Sequence, residues 1–457
     1  METKTYYQLT PSQIVMFYTR KFSRKKSVVN VPTSIIVHDS LDLDVLENAV
    51  KQAIQRWDAF GIRMIKEGGM AKQYFGENEV ESIVRLDFSN KTREEMEFTF
   101  AKLSVKKLGV YNSPMARIYI ITTPEGFNGL FTVISHLIMD SWAISSFYKD
   151  VMDIYYYDMG KGEYPKDVVP YEEVLSKELD YRKTPAYERA KAYWENEFKE
   201  DEPIYTDING SKVLERHRSK KGNEGKRASN FAFLLITAAN DLHWIGKEEI
   251  DLFTKFIKNQ QLPSLQVLFQ MGVRTFLARE NKNEKDISTY NVVARRGTLK
   301  EKRTGGTRVH FMNFRTFMDE STTFIEGCHK LLTKQNELYR HADFDPFEMM
   351  SMEEAAYNRK ETERYCSLAM TFQPVPMSIG DGLKIETKWY SNGTTAQLLY
   401  ITIMDGDGTG GLKCYYEYMS NLTTAEKIKE FHESIVKIMV KGCENPDITL
   451  EELFEAF

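Results

Sequence analysis

The chain has 457 residues, 42% hydrophobic and 28% charged, which allows two or three domain-sized units or one large two-lobed enzyme. Its core is large enough to need no disulfide or structural metal. Sixty-one Lys and Arg against 66 Asp and Glu leave a net charge of −5, so nothing in the balance points to nucleic acid or an anionic membrane. The cysteines at 328, 366, 414 and 443 form no CxxC pair, which argues against a disulfide framework or zinc ribbon. The longest apolar run, Phe231 to Ala239, is about half a bilayer span. The N-terminus METKTYYQLT has neither a basic n-region nor an apolar h-region, so the expectation is a soluble, cytoplasmic, globular protein.

Without repeats or low-complexity tracts, the alternation of helical and strand patterns predicts a mixed α/β fold. Thr10-Pro11-Ser12-Gln13 reads as a capped helix entry, with Pro11 at N1 and Gln13 reaching back to the cap. Ile14, Phe17 and Tyr18 follow on one face, and Ser34 to Val37 reads as strand. Leu46, Ala49, Val50, Ala53, Ile54 and Trp57 recur at helical spacing as one apolar face. Ala116 to Ser135 predicts a hairpin, two β-rich runs around Pro124-Glu125-Gly126. A helix then begins near Trp142, with Ile144, Phe147, Tyr148, Val151 and Tyr155 on one side. His136 to Ser141 therefore lie where a buried strand ends and a helix begins, a common place for a catalytic group.

Residues 200 to 228 are polar, with charge clustered at Arg216 to Gly222, and read as a surface loop or interlobe connection. Phe231 to Thr237 reads as ordered structure, followed by a helix through Phe253 and Phe256 and another from about Ser264 to Leu277. The last long helix is marked by Thr423 and Glu426 as a capping box, with Ile428, Phe431, Ile435 and Ile438 as its stripe. Gly442 reads as its C′ residue, with Pro446 just beyond. Gly406 to Gly411 formally contains GxGxxG, but Lys413 to Tyr416 reads as strand rather than helix, so the segment is expected to be a hairpin tip. The basic runs Arg20 to Lys26 and Arg295 to Arg308 read as solvated loops, with recognition of an acidic helix or a phosphate as the alternative. His341 reads as structural.

Ser135-His136-Leu137-Ile138-Met139-Asp140-Ser141 is the most informative segment. It sets one imidazole and one carboxylate four residues apart. Near neutral pH a His can take a proton from an attacking amine or alcohol, or hold it by a hydrogen bond. The carboxylate can fix the imidazole or the surrounding backbone. No third His or Cys lies nearby to complete a metal site.

In order along the chain, several segments resemble the condensation domains of nonribosomal peptide synthetases, within the superfamily of chloramphenicol acetyltransferase-like acyltransferases. Tyr7 to Gln13, with Met16-Phe17, resembles the family's opening motif, and Arg56 to Arg63 its Arg-His-Glu-x-Leu-Arg segment. Ser135 to Ser141 resembles the signature His-His-x-x-x-Asp-Gly at its second His and its Asp. Glu178, Tyr181 and Trp194 are similar to a later glutamate, tyrosine and tryptophan pattern. Val292 to Arg296 with Phe311-Met312-Asn313 resembles an Ala-x-Arg and Phe-x-Asn pair, and His341 to Glu348 the late His-Gln-x-x-x-Pro-Phe-Glu motif. Three positions depart: Ser135 for the first His, Ser141 for the Gly, and Gly61 for an Arg that supports the signature Asp. Arg63 and Arg296 are the candidates to meet Asp140 instead, because a buried carboxylate without a cation is costly.

The resemblance implies two chloramphenicol acetyltransferase-like lobes, residues 1–175 and 176–457, arranged as a V around an interface tunnel. It implies His136 as the catalytic residue, Asp140, Arg63 and Arg296 as support of its loop, and Ser135 and Ser141 as tunnel wall. The implied reaction is amide formation between an acyl thioester on a carrier protein's phosphopantetheine arm and an acceptor amine, with no metal or redox cofactor. Whether His136 deprotonates the amine or orients it stays open. The implied partners are an acyl or peptidyl carrier protein and a small-molecule or carrier-bound amine. The chain is expected to be a monomer, free-standing or excised from a larger synthetase. Two other readings stay open: a coenzyme A-dependent O- or N-acyltransferase of the same fold, and a non-catalytic carrier-docking module.

Overall fold

Thr10 opens the first helix, Pro11–Phe22, through a reciprocal cap: its hydroxyl accepts from Gln13 N at 3.3 Å, and Gln13 Oε1 accepts from Thr10 N at 3.0 Å. The structure is a computed structural model that describes residues 4–230, 237–373 and 383–456. The ordered segment expected at Phe231 to Thr237 lies, apart from Thr237, outside the described residues. The chain divides into two units that are each discontinuous in sequence. One comprises Met1–Thr184, Ala294–Val309 and Met377–Ala396; the other Pro185–Val293, His310–Pro376 and Gln397–Phe457.

The first unit is built on a five-stranded sheet in the order Ile385–Trp389, Asn30–Val37, Asn128–Ser135, Ala116–Thr122, Ser82–Asp87. All neighbours run antiparallel except the last pair. The predicted hairpin is present, with Thr122 opposite Asn128 and Gly126 at φ 83° in its turn. Asn128–Ser135 is buried along its whole length, because both faces of the sheet are covered. On one face Phe131 and Val133 pack with Phe100, Met96 and Leu103 of the helix Arg93–Ser104. On the other, Thr132 hydrogen-bonds Tyr148 of the helix Ser141–Asp158 at 2.7 Å. That helix buries the predicted Ile144, Phe147, Tyr148, Val151 and Tyr155. It is tied to the helix Leu43–Arg56 by Arg56, whose guanidinium donates to both oxygens of Asp150 at 3.0 and 3.2 Å.

The second unit has a six-stranded mixed sheet ordered His310–Phe317, Asp286–Val293, Leu368–Gln373, Leu399–Asp405, Leu412–Met419, Ala238–Ile245. The segment Gly406 to Gly411 is the tip joining two antiparallel strands, as its flanks predicted. The helix Gln266–Glu280 is buried on every side from Gln266 to Ala278, which is why it lacks a clean amphipathic period. Within residues 200–228, read as loop, Lys212–Arg218 forms a short helix that buries Leu214 and His217. His341 ends the helix Phe324–Arg340 and stacks on Tyr193 at 4.4 Å. No helix among the described residues is long and apolar enough to cross a membrane.

Two expectations for the last long helix are corrected. It spans Ala425–Glu444 and is capped by Thr424 rather than Thr423; the Thr424 hydroxyl accepts from Lys427 N at 3.3 Å. Gly442 lies inside this helix rather than after it: a Cβ there would sit 2.4 Å from the ring of the buried Phe324. The glycine serves close packing, not a left-handed cap. Gly442→Ala should therefore lower stability by about 1–3 kcal/mol, although alanine is the better helix former. Thermal unfolding checks this, and Phe324→Leu added to the variant should recover part of the loss.

Candidate functional site

The strand Asn128–Ser135 ends in a tight turn that its own last residue organises. Ser135 O accepts from Ile138 N at 3.0 Å, and Ser135 Oγ accepts from Leu137 N at 3.3 Å. Ser135, expected on a tunnel wall, is thus buried and occupied with the turn's backbone. His136 N donates to Val29 O at 2.6 Å, and Gln13, the capping residue of the first helix, donates from Nε2 to Leu137 O at 3.2 Å. The opening motif and the signature segment are therefore joined by one side chain. Ser141 is the first residue of the following helix and is partly exposed.

Asp140 caps that helix, its Oδ1 accepting from Ala143 N at 2.9 Å, and it has no exposed surface. Its second role is to receive Arg296. The guanidinium donates from Nη2 to Oδ1 and Oδ2, both at 3.0 Å, and from Nε to Oδ2 at 3.2 Å. Arg308 N adds a donor to Oδ2 at 3.0 Å. Arg296 is itself 2% exposed at the side chain and also donates to Glu301 O, Thr304 O, Gly305 O and Gly306 O at 2.5 to 3.2 Å. One cation thus holds the segment 301–306 against the helix start. Gly306 permits this, at φ 78° and with the Tyr171 ring 2.1 Å from where a Cβ would stand.

Arg63, the other cation considered for Asp140, is elsewhere. It donates to Phe60 O at 2.6 Å, Ile62 O at 3.0 Å and Glu79 at 2.9 Å. Residues 61 and 63 do not share one strand face. Instead Gly61 closes a short turn, Asp58–Gly61, and the strand begins at Ile62. No side chain fits at 61, where a Cβ would meet Asn78 Oδ1 at 2.6 Å and Gly76 O at 2.7 Å.

Around Asp140 and Arg296 lies a wider ionic cluster. Arg308 donates to Glu178 at 3.1 Å and to Glu301 at 3.0 Å, and Arg295 pairs with Glu178 and donates to Ser12 Oγ at 3.0 Å. The run Arg295 to Arg308, read as solvated loop, is corrected here: the side chains of Arg295, Arg296 and Arg308 are all buried. Arg295 holds φ 41°, a strained value for a non-glycine residue that its ionic contacts sustain. The run Arg20 to Lys26 is also partly committed, since Lys26 Nζ donates to Arg20 O and Lys21 O in the last turn of the first helix and to Ser23 O just after it, at 2.7 to 3.0 Å.

The imidazole of His136 is half-buried, and its Nδ1 hydrogen-bonds Thr307 Oγ1 at 3.0 Å. Burial pushes its pKa below the ordinary 6.5 and outweighs the attraction of Asp140, so the ring is neutral at pH 7. With Nδ1 engaged, Nε2 is the nitrogen left for proton chemistry. Thr307 was missed by the sequence reading. The signal that could have found it is the glycine pair Gly305-Gly306 just before it, which marks a close backbone approach. Among the described residues no three His, Cys, Asp or Glu side chains are grouped as metal ligands would be.

Comparison with known proteins places the chain in a family. The Condensation domain family model matches residues 3–455. One component of plipastatin synthase from Bacillus subtilis (strain 168) is 22% identical over 450 residues, covering 98% of this chain and 17% of the relative. Surfactin synthase subunit 1 of the same organism is 22% identical over 459 residues, covering 98% of this chain and 12% of the relative. The chain thus spans less than a fifth of the length of either relative. Among solved structures, a variant of the starter condensation domain of rhizomide synthetase in complex with C8-CoA superposes with TM-score 0.83 at 13% identity, covering 98% of this chain and 97% of that one. The first condensation domain of the calcium-dependent antibiotic synthetase, in complex with a substrate analogue, gives 0.81 at 15% identity, covering 98% and 99%. These likenesses bear out the expected mixed α/β fold of condensation-domain type, and with the family match over nearly its whole length the chain belongs to the condensation domain family.

Proposed function

We propose that this chain catalyses amide formation between an acyl or aminoacyl thioester, carried on the phosphopantetheine arm of a carrier protein, and an acceptor amine. The observation that carries the reading is His136: a neutral imidazole at a rigid strand-to-helix junction, with Nδ1 on Thr307 and its turn anchored through Asp140. Neutral amine nitrogen attacks the thioester carbonyl, the C–N bond forms and the C–S bond breaks. His136 Nε2 accepts a hydrogen bond from the amine, takes its proton as the C–N bond forms, and returns it to the departing thiolate. Thioesters are already activated, so the protein's contribution is orientation and support of developing charge. Asp140 and Arg296 do not touch the reacting atoms in this scheme; they are positioning residues that hold the turn bearing His136.

His136→Ala should lower the single-turnover rate about 10²–10⁴-fold with a carrier-bound acyl donor, leaving the fold intact by circular dichroism. An unchanged rate would defeat the assignment. Competition between carrier-bound and coenzyme A-bound forms of one acyl group distinguishes the two donor classes. Carrier binding without product from either donor would instead mark a docking module.

Neutral imidazole is the working form and burial holds its pKa below the ordinary 6.5, so His136 should stay uncharged as pH falls through 6.5. An NMR titration of the imidazole checks this separately from the acceptor amine, whose own protonation also slows the reaction in acid; a midpoint at or above 6.5 contradicts it.

Arg296→Met leaves Asp140 buried without its cation and should cost about 3–5 kcal/mol of stability together with activity. Combining it with Asp140→Asn should recover part of the stability, a non-additivity that chemical denaturation would read.

A further inference from the structure

The second unit contains a small cavity between the buried helix Gln266–Glu280 and the sheet, lined by Gln270, Arg274, Ile287, Thr289, Phe314 and Leu368 among others. Most of this lining is apolar, yet the amide of Gln270 and two nitrogens of Arg274 in it are unpaired among the described residues. Arg274 is 2% exposed and its Nε and Nη1 have no hydrogen-bond partner among the described residues; only Nη2 is used, donating to Lys285 O at 2.9 Å and Met318 O at 3.2 Å. Gln270, one helical turn earlier and 4% exposed, has both amide atoms unpaired. Asn291 is 1% exposed with both amide atoms unpaired as well, at a strand position that shares its face with Ile287 and Thr289.

The carboxylates near Arg274 are committed elsewhere. Asp286 is gripped by Arg315 at 2.7 and 2.6 Å, Asp319 pairs with Lys285 at 2.7 Å, and Glu284 accepts from Lys285 N and Asp286 N at 2.9 and 3.1 Å. Burial pushes the Arg274 guanidinium down to about 10, which still leaves it cationic at neutral pH. A buried cation with two idle donor nitrogens and no contacting carboxylate is costly in an apolar setting. The cavity has room for about one particle near the size of a water, which rules out an organic ligand of any length.

We propose that this cavity is a binding site for a small monovalent inorganic anion of halide size, held by Arg274 Nε and Nη1 together with Gln270 Nε2. Such an ion would neutralise the guanidinium and satisfy the idle donors at once. It belongs to the second unit, whereas His136 belongs to the first, and it does not depend on the amide-forming reading.

Two measurements test it on the whole chain. Crystals grown or soaked in sodium bromide should show an anomalous peak between Arg274 and Gln270. The unfolding temperature should rise by about 2 °C or more between 1 and 100 mM chloride at constant ionic strength, with gluconate as the balancing anion. That rise should be lost in Arg274→Met and reduced in Gln270→Leu, which keeps the buried charge and guards against an Arg274 variant that fails to fold. An ordered water with no anomalous signal, with a melting temperature indifferent to chloride, would overturn the proposal.

Discussion

A carboxylate with no exposed surface has to find its donors inside the protein, and Asp140 finds them from three separate stretches of chain. The cost of taking such a charge out of water is several kcal/mol, and it is offset only when geometry and hydrogen bonding are both complete. Here they are. Arg296 supplies a forked pair of donors, Arg308 a backbone amide, and Ala143 the amide that makes Asp140 a helix cap. Because the same guanidinium also collects four carbonyls of residues 301–306, the ion pair fixes the helix start and that segment as one object.

The placement of His136 follows from that constraint. Thr307, which engages its Nδ1, sits directly after the carbonyls that Arg296 holds and directly before the amide that Asp140 receives. The imidazole therefore takes its orientation, through Thr307, from the segment that the ion pair holds. Asp140 would raise the basicity of the ring, but burial acts in the opposite direction and is the stronger of the two effects. A neutral ring is the outcome, suited to accepting a proton rather than to carrying a standing charge.

Much of this was legible in residue order. The capped entry at Thr10, the apolar face from Leu46 to Trp57, the hairpin around Gly126 and the helix beginning beside Asp140 all depend on contacts a few residues apart. Periodicity and capping chemistry report such contacts directly. The readings that failed depend on partners far along the chain. Gly442 was read from its place near a helix end, when what fixes it is the Phe324 ring packed against it. Arg63 was a candidate partner for Asp140, but beside the turn that Gly61 closes its guanidinium is taken up by Phe60 O, Ile62 O and Glu79. The run Arg295 to Arg308 looked like solvated charge because its counter-ions, Asp140 and Glu178, stand more than a hundred residues away.

By itself, the sequence determined the family, the mixed α/β class and the segment that carries the candidate catalytic histidine, since ordered motifs and local spacing are enough for these. Only the tertiary structure decided which arginine meets Asp140, that Thr307 holds His136, and that Arg274 is left with idle donors. Charge pairing and burial are set by distance in space. Composition counts the charges, but only the fold determines which of them meet.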